Sequence, residues 1–228
     1  MTEIYGDNYG RVELVRHMGS DQAIIDSARV SYAGDTSVWR PEADPKLLRY
    51  LLKNKHWSPF ECCTITWHFV VPLFVARQHH RHRTWAFSEI SRRYTSEDIE
   101  FYMPHTLRPQ AKSNKQASDW ETAINPLITD WVGDLTGKAA DLLKAHCQAS
   151  LDLYTKMVDA GVAREQARMV LPQNMYTRYY GTVNLRNALA FIQLREDNHA
   201  QLEIYKVAEV MRRDLMALFP ETMKAVDS

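Results

Sequence analysis

Residues 77–93 concentrate side chains that bind anions. The segment holds five arginines and three histidines, and Glu89 is its only acid. The protein as a whole has no net charge, with 28 basic and 28 acidic residues, so this positive charge is local. Guanidinium groups donate paired, charge-assisted hydrogen bonds to phosphate, and neighbouring arginines repel one another unless an anion lies between them. The segment therefore predicts a site for a phosphorylated ligand.

A solvated basic surface is the simplest alternative explanation for a run of charges. Four hydrophobic residues interleaved with the charges, Trp85, Phe87, Ile90 and Tyr94, instead predict a backbone that is anchored to a core. Glu89 and two nearby serines add hydrogen-bonding groups that suit a heterocycle joined to a phosphate. A nucleic-acid surface is more often rich in lysine and belongs to a domain of net positive charge. The pattern favours a small phosphorylated ligand.

The order of residues within this segment resembles a known signature. Arg81-His82-Arg83, followed after seven residues by Ser91, is similar to the motif of the flavin-dependent thymidylate synthases. Five further motifs occur in the family's order: HWSPFE at 56–61, ARMVLP at 167–172, YTR at 176–178, NLR at 184–186, and LR at 194–195 with a histidine at 199. The resemblance extends over residues 11–220.

The resemblance implies a fold and a reaction. The fold class would be α+β, with a mixed β-sheet packed against helices in a single domain spanning residues 1–228, and the subunits would form a homotetramer with active sites between chains. The reaction would be reductive methylation of dUMP to dTMP, with FAD as cofactor, 5,10-methylenetetrahydrofolate as carbon donor and NADPH as hydride source. These cofactors carry the chemistry themselves, so no cysteine nucleophile is needed.

The same resemblance assigns roles to individual residues. Arg195 is expected to stabilise negative charge that develops on the uracil ring, and His56 is expected to lie near the flavin and assist the folate half of the reaction. Ser91 and Arg93 are expected to hold the phosphate. The residues expected to contact FAD are Ser58, Arg81, His82, Arg83, Glu89, Asn184, Arg186 and His199. Those expected around dUMP are Gln78, Arg81, Glu89, Ser91, Arg92, Arg93, Arg168 and Arg195.

Four positions depart from the family's pattern. Ala86 and Ser88 replace a serine and an asparagine, Ala190 replaces an asparagine that helps to hold FAD in some members, and Arg92 stands where glycine is frequent. Each lost hydrogen bond is worth about 1 kcal/mol. We therefore expect these positions to alter FAD affinity rather than the class of reaction.

Hydrophobic spacing indicates the elements that position these residues. A strand at 12–15 precedes a capped helix, and leucines at helical spacing after Pro45 predict a second helix. This helix should end near residues 56–59, because Pro59 disfavours helical geometry in the residue before it.

The basic segment should follow a central strand and a short helix. β-branched and aromatic residues at 62–71 predict the strand, and residues 73–78 predict a helix that delivers the basic segment to a loop. An alternative role for His79 and His80 is to cover the end of that helix, where cationic side chains interact favourably with the dipole.

The second half of the chain predicts mainly helices. Asn184 is the expected N-cap of one of them, whose free backbone N–H groups would favour an anion, and Arg195 and His199 would share a face if that helix continued through both. The predicted elements are a short strand at 99–102, a polar surface segment at 107–119, a helix at 127–158 interrupted near Gly133 and Gly137, a segment at 164–171, a β-rich stretch at 175–180, and helices at 185–195 and 200–219.

Other features argue against several classes of protein. No Gly-x-Gly-x-x-Gly follows a strand, which argues against Rossmann-type flavin binding. Cys62, Cys63 and Cys147 include no Cys-x-x-Cys, so we interpret them as buried hydrophobic residues and expect no metal site. No apolar run reaches the roughly 18 residues that cross a membrane, and no basic leader precedes an apolar stretch. We expect a cytoplasmic protein with no membrane or nucleic-acid partner.

Two alternative functions stay open at this point. A related flavin- and folate-dependent enzyme could deposit a hydroxymethyl group or act on another pyrimidine nucleotide. The Arg/His segment could also belong to a non-catalytic nucleic-acid-binding module, whose affinity would fall steeply with salt.

Overall fold

The computed structural model describes residues 2–32, 38–112, 117–129, 136–197 and 199–228. Gly133, where the predicted helix 127–158 was expected to be interrupted, lies outside these ranges.

In chain order the strands are β1 (Thr2–Glu3), β2 (Arg11–Met18), β3 (Thr64–Pro72), β4 (Ala86–Glu89), β5 (Leu127–Thr129), β6 (Thr136–Lys138) and β7 (Tyr176–Asn184). The helices are α1 (Asp21–Arg29), α2 (Asp44–Lys53), α3 (Ser58–Glu61), α4 (Leu73–His79), α5 (Ala139–Asp159), α6 (Arg164–Ala167), α7 (Leu185–Arg195), α8 (Leu202–Leu218) and α9 (Pro220–Val226).

Five strands form the main sheet in the order β1-β2-β3-β7-β4, and β5 and β6 form a separate pair. The predicted combination of a sheet with packed helices is confirmed. Every strand pair that the described residues form is antiparallel, so the expectation of a mixed sheet was wrong. A hydrophobic pattern reports which faces of a strand are buried and says little about its direction.

The two central strands, β3 and β7, determine where the helices that follow them begin. They pair from Thr64 opposite Asn184 to Pro72 opposite Tyr176, so α4 and α7 start at opposite ends of the pair. Both helices turn back and meet, as the ring contact between His79 and Phe191 at 4.6 Å shows. The antiparallel register therefore brings the ends of α4 and α7 together.

Gly181 in β7 allows the basic segment to pack on the sheet. A Cβ atom at this position would lie 3.0 Å from a Phe69 ring carbon and 3.2 Å from a Trp85 ring carbon, which is closer than ordinary van der Waals contact. Trp85 is 7% exposed and immediately precedes β4. The anchor predicted for the segment at Trp85 is thus confirmed, whereas Tyr94, 79% exposed, is not part of it.

Several predicted elements are confirmed. Strand β2 contains the predicted 12–15, and Ser20 caps α1 by accepting a hydrogen bond from the Ala23 N–H at 3.3 Å. The predicted helix 185–195 coincides with α7, and α8 lies within the predicted 200–219. These segments have strong local signals, either a cap or a regular apolar stripe, that tertiary packing reinforces.

Other elements differ from their predictions. The first part of the predicted helix 127–158 is the β5–β6 pair, and α5 begins only at Ala139, since Gly137 and neighbouring β-branched residues disfavour a helix there. Residues 99–102 form no strand beyond one bridge from Phe101 to Met175. Part of the predicted loop after α4 is strand β4, which the β7 edge recruits through backbone pairing.

The segment around Pro59 also differs. It was expected to be non-helical at Ser58, yet Ser58 begins the short helix α3. Proline fits the first turn of a helix because its missing N–H would have no partner there.

The cysteines only partly follow their prediction. Cys63 and Cys147 are buried as expected, but Cys62 is exposed and lies at the end of α3 rather than in a strand. Within the described ranges, no helix is both long and apolar enough to span a membrane.

A buried ion pair holds the start of α2, the helix that leads to His56. Asp44 is fully buried and pairs with Arg29 of α1, whose Nη1 lies 3.4 Å from Oδ2. Asp44 also accepts a hydrogen bond from the Arg40 backbone N–H at 2.8 Å. Removing one partner of a buried pair leaves the other charge without compensation.

We predict that Asp44→Ala will lower the free energy of unfolding by about 3–5 kcal/mol, because Arg29 keeps its charge in a largely buried position. Thermal or urea denaturation monitored by circular dichroism measures the change. Glu221→Ala, which breaks the exposed pair with Lys224, is the matched control and should cost less than about 1 kcal/mol. Equal losses of stability in the two variants would contradict a stabilising role for the buried Arg29–Asp44 pair.

Candidate active site

The ends of α4 and α7 bring together three predicted site residues that are far apart in the chain. Arg195 donates from Nε and Nη2 to Nε2 of His82, at 3.3 and 3.2 Å. The same Nη2 atom lies 3.5 Å from the backbone oxygen of Gln78. His82 and Gln78 are 113 and 117 positions away from Arg195, so only the fold creates this group.

The Arg195–His82 contact requires a neutral imidazole ring. Burial, and then the positive charge of Arg195, lower the pKa of His82 below its usual 6.5. With Nε2 accepting, the ring proton lies on Nδ1. Burial also lowers the pKa of Arg195, although a guanidinium stays charged at neutral pH. The pair thus holds a fixed positive charge, and the Arg195 Nη1 group has no hydrogen-bond partner among the residues described.

His79 is a core residue beside this pair. It is 1% exposed, and its Nδ1 lies 2.9 Å from the hydroxyl of Tyr179. Burial lowers the pKa of His79 well below 6.5, so the ring is neutral and the alternative role as a cation covering the helix end is not supported. The aromatic rings around it are Phe69, Trp85, Phe87, Tyr179 and Phe191.

Two further predicted cations converge at α6. Arg93 Nη2 lies 3.6 Å from Glu165 Oε2, and Arg168 Nε donates to the Glu165 backbone oxygen at 3.3 Å. The hydroxyl of Ser91 accepts a hydrogen bond from the Arg93 N–H, also at 3.3 Å. An exposed ion pair such as Arg93–Glu165 contributes little, so a phosphate could replace the carboxylate as the partner of Arg93.

Arg92 is oriented differently from the other arginines of the segment. It is 7% exposed, and its two terminal nitrogens donate to the backbone oxygens of Glu97 and Asp98, the latter at 2.9 Å. Burial lowers its pKa. Its guanidinium therefore braces the turn that follows the basic segment, an arrangement that does not favour the predicted contact with dUMP.

Arg81, Arg83 and Glu89 of the signature are exposed. Arg81 and Arg83, on either side of His82, form no ion pair with any carboxylate in the described ranges. Glu89 on β4 accepts a hydrogen bond from Thr177 Oγ1 at 2.6 Å. Both arginines are available to an anionic ligand.

A cleft of about 1040 Å³ lies between α2, α7 and the C-terminal residues. Its volume suits a large cofactor. The apolar lining includes Leu52, Trp57, Leu189, Ala190 and Ile192, and the cations are Arg49, Lys53, Lys55, Arg186 and Arg212. Arg49, Lys53 and Lys55 form no ion pair with a described carboxylate.

Arg186, one of the two predicted FAD contacts at the start of α7, lines this cleft. Arg186 pairs with Glu61 at 2.5 Å, and its guanidinium lies 5.7 Å from the Trp57 ring centroid. Asn184 is the N-cap, as predicted, because its Oδ1 accepts from the Asn187 N–H at 3.0 Å. The Leu185 N–H donates to the Cys63 backbone oxygen, so the expectation of free N–H groups there was largely wrong.

Three predicted residues stand apart from these contacts. His56 and Ser58 are exposed in the segment before and at the start of α3, and the His56 ring lies 5.8 Å from that of Tyr50. Helix α7 ends at Arg195, so His199 does not share its helical face. A shared face required the helix to continue through His199, and this condition is not met because the helix ends at Arg195, within the predicted bounds 185–195.

Several of the predicted site residues thus form three separate groups within one chain, at Arg195, at Arg93 and at Arg186. Hydrogen bonds and ion pairs of the described residues join members within each group and do not connect one group to another. Sequence reasoning missed Glu61 and Glu165, which pair with predicted cations, and Gln201, whose side chain contacts Gln78. No local pattern distinguishes such acids and amides from ordinary surface residues.

Comparison with known proteins identifies the family. Residues 13–221 match the family described as thymidylate synthase complementing protein. The chain belongs to this family. It is 42% identical over 199 residues to a flavin-dependent thymidylate synthase of Thermosipho africanus, covering 87% of this chain and 82% of the relative. It is 43% identical over 202 residues to the Thermus thermophilus protein of the same name, covering 89% and 70%. The resemblance in the basic segment is therefore confirmed.

A solved structure from the same comparison agrees with the fold. The UMP/dUMP methylase PolB from Streptomyces cacaoi, bound with 5-Br dUMP, superposes with a TM-score of 0.78 at 32% identity. The similarity covers 95% of this chain and 94% of PolB. The family membership therefore rests on both sequence and three-dimensional structure.

The buried His79 predicts a pH dependence of stability. Its pKa is lowered in the folded protein, so below pH 6.5 the unfolded chain binds a proton that the native state does not. The free energy of unfolding should fall with decreasing pH, by up to about 1.4 kcal/mol per pH unit from this residue.

His79→Phe should remove that contribution and flatten the profile below pH 6.5, as measured by urea denaturation at several pH values. His17→Phe is the matched control, since His17 is exposed, and should leave the slope unchanged. An identical slope in the wild-type protein and His79→Phe would exclude a neutral, buried His79.

Proposed function

We propose that this protein methylates dUMP at C5 to give dTMP. The observation that carries the proposal is the Arg195–His82–Gln78 group, in which the basic signature meets a distant arginine. A fixed positive charge with an unoccupied donor is suited to a carbonyl oxygen on which negative charge develops. The names of the relatives and of PolB support the same substrate and reaction.

The phosphate of dUMP would be bound at the Arg93 group. Arg93 and Arg168 supply two guanidiniums, and the Ser91 hydroxyl lies beside them. Such side chains bind phosphate through charge-assisted hydrogen bonds. The exposed Arg81 and Arg83 would add charge at the same surface, with Glu89 positioned by Thr177 to accept hydrogen bonds from the ligands.

The cleft at α7 fits FAD. Arg49, Lys53 and Lys55, which pair with no carboxylate in the described part of the chain, suit a diphosphate, and Trp57 offers a face for a flat ring. Arg186 would be the FAD contact at this cleft, and we propose Asn184 and Ser58 as FAD contacts outside its lining. When bound, the flavin would supply the hydride that completes the methyl group. We propose NADPH as the source of that hydride and 5,10-methylenetetrahydrofolate as the carbon donor, with His56 near the folate.

We propose that the active sites are completed between subunits of a homotetramer. The support is that hydrophobic residues next to three site arginines are exposed: Tyr94 at 79%, Met169 at 74% and Leu194 at 57%. Large apolar side chains beside a polar site are typical of an interface. His199, which lies apart from the other site residues of its own chain, would reach a ligand only in such an assembly.

Residues 1–228 are proposed to form one domain, because the core cluster includes residues from Ile4 to Met223. The cytoplasmic location stays a prediction from the sequence.

The decisive experiment is an anaerobic assay with FAD, NADPH, 5,10-methylenetetrahydrofolate and dUMP. We expect dTMP, identified by mass spectrometry, and no product when any component is omitted. A hydroxymethyl product, or turnover of another pyrimidine nucleotide instead, would favour the related hydroxymethylase. A protein that shows no flavin absorbance and binds RNA with a steep salt dependence would favour the nucleic-acid module.

Arg195→Ala should lower kcat/KM for dUMP by about 100-fold or more, because it removes a charge that stabilises the transition state. Steady-state assays measure this change. Arg195→Lys should retain an intermediate activity, since the ammonium keeps the charge but loses the fork to His82. Full activity of Arg195→Ala would remove the residue from the mechanism.

Arg186→Ala should weaken FAD binding by about tenfold, because it removes a charge-assisted contact. Titration of flavin absorbance or fluorescence measures the dissociation constant. Arg213→Ala is the matched control, since Arg213 is exposed and contacts Thr2 rather than the cleft. Equal FAD affinity in Arg186→Ala and the wild-type protein would exclude this cleft contact.

A further inference from the structure

A chain of polar contacts runs from a buried ion pair to Gln78. Arg108 Nη2 lies 2.7 Å from Glu203 Oε1, and the Gln201 side-chain nitrogen donates to Glu203 Oε2 at 2.9 Å. The side-chain oxygen of Gln201 in turn accepts from the side-chain nitrogen of Gln78. Gln78 and Gln201 are 123 positions apart, so the contact joins α4 to the start of α8.

The charge at one end of this chain orients both amides. A carboxylate paired with arginine is only an acceptor of hydrogen bonds. Gln201 must therefore turn its NH2 group towards Glu203 and its oxygen towards Gln78. Gln78 must then turn its own NH2 group towards Gln201. These two steps leave the side-chain oxygen of Gln78 as an acceptor that has no donor among the residues described.

The groups around Glu203 maintain this orientation of the two amides. Glu203 is 3% exposed, and Tyr102 donates to Glu203 Oε1 at 3.1 Å. The Tyr5 hydroxyl donates to the Glu203 backbone oxygen at 3.0 Å. Burial, followed by the Glu203 charge, raises the pKa of Tyr102, so Tyr102 keeps its proton and remains a donor. Every neighbour named here donates to Glu203, and none competes for its role as acceptor.

We propose that Glu203, acting through Gln201, is a positioning residue that makes Gln78 select uracil over cytosine. N3 of uracil carries a hydrogen and can donate it to the Gln78 side-chain oxygen. N3 of cytosine carries no hydrogen, so its lone pair and the Gln78 oxygen would repel each other. Arg195 is proposed to contact the uracil ring, and its Nη2 lies 3.5 Å from the Gln78 backbone oxygen. Gln78 would therefore lie beside the same ring. The inference rests on the proposed function.

The ratio of dUMP to dCMP affinity tests the proposal. We expect the FAD-loaded wild-type protein to bind dUMP about 100-fold or more tightly than dCMP, measured by isothermal titration calorimetry. In Glu203→Gln the neutral amide can donate or accept, so Gln201 and Gln78 can both flip. The dUMP/dCMP ratio should then fall by about tenfold, with dCMP binding improving relative to dUMP.

Gln201→Met is a second variant that breaks the chain and keeps the Arg108–Glu203 ion pair, in case Glu203→Gln fails to fold. It should lower the ratio to a similar extent. Tyr102→Phe is the matched control, because it removes a donor to Glu203 and leaves the carboxylate and Gln201 in place. Its ratio should equal that of the wild-type protein.

A merely structural role of Glu203 would weaken both nucleotides equally. An unchanged ratio in a folded Glu203→Gln or Gln201→Met protein would therefore overturn the proposal, as would an equal loss in Tyr102→Phe. If the wild-type protein instead binds neither nucleotide and forms no dTMP, the proposed function itself fails, which is a distinguishable result. Wild-type synthesis of dTMP combined with an unchanged ratio would reject the inference alone.

Discussion

The contact between Arg195 and His82 is the constraint on which the rest of the site depends. A half-buried guanidinium can donate to an imidazole only if the ring is neutral, and burial lowers the pKa of His82 so that it is. For the two side chains to meet, α4 and α7 must leave opposite ends of the central strand pair and converge, which the antiparallel β3–β7 register allows. Gly181 contributes by leaving room for Trp85, which anchors the basic segment that carries His82.

The distribution of charge explains how a protein without net charge can bind anions. The arginines do not act as one patch. Arg92 turns inward to backbone oxygens, Arg93 is offset by an exposed carboxylate, and Arg81 and Arg83 have no acidic partner within the described part of the chain. Local excess of cation over anion is thus confined to a few surfaces. Electrostatic attraction to a phosphate is therefore strongest at these surfaces.

Polar side chains around the Arg195 group are oriented by charges more than by shape. Glu203, held by Arg108, imposes a direction on Gln201 and through it on Gln78, and Arg195 imposes a tautomer on His82. Amides and imidazoles can each donate or accept a hydrogen bond. A neighbour that can only accept, such as a carboxylate, or only donate, such as a guanidinium, therefore fixes which atom faces it. In this network one arrangement of the two amides satisfies the buried Glu203 carboxylate, and the same arrangement leaves the Gln78 oxygen available to a ligand.

The sequence by itself determined the local features: the cap at Ser20, helix α7, the buried character of β3 and the family signature from Arg81 to Ser91. These depend on residues within a few positions of one another, where side-chain types and spacing decide the outcome. Only the tertiary structure decided that residues 127–129 and 136–138 pair as strands, that Arg92 faces inward, and that Gln78 meets Gln201. The physical reason is that these outcomes depend on partners distant in the chain, and backbone pairing or burial by such partners outweighs local preference.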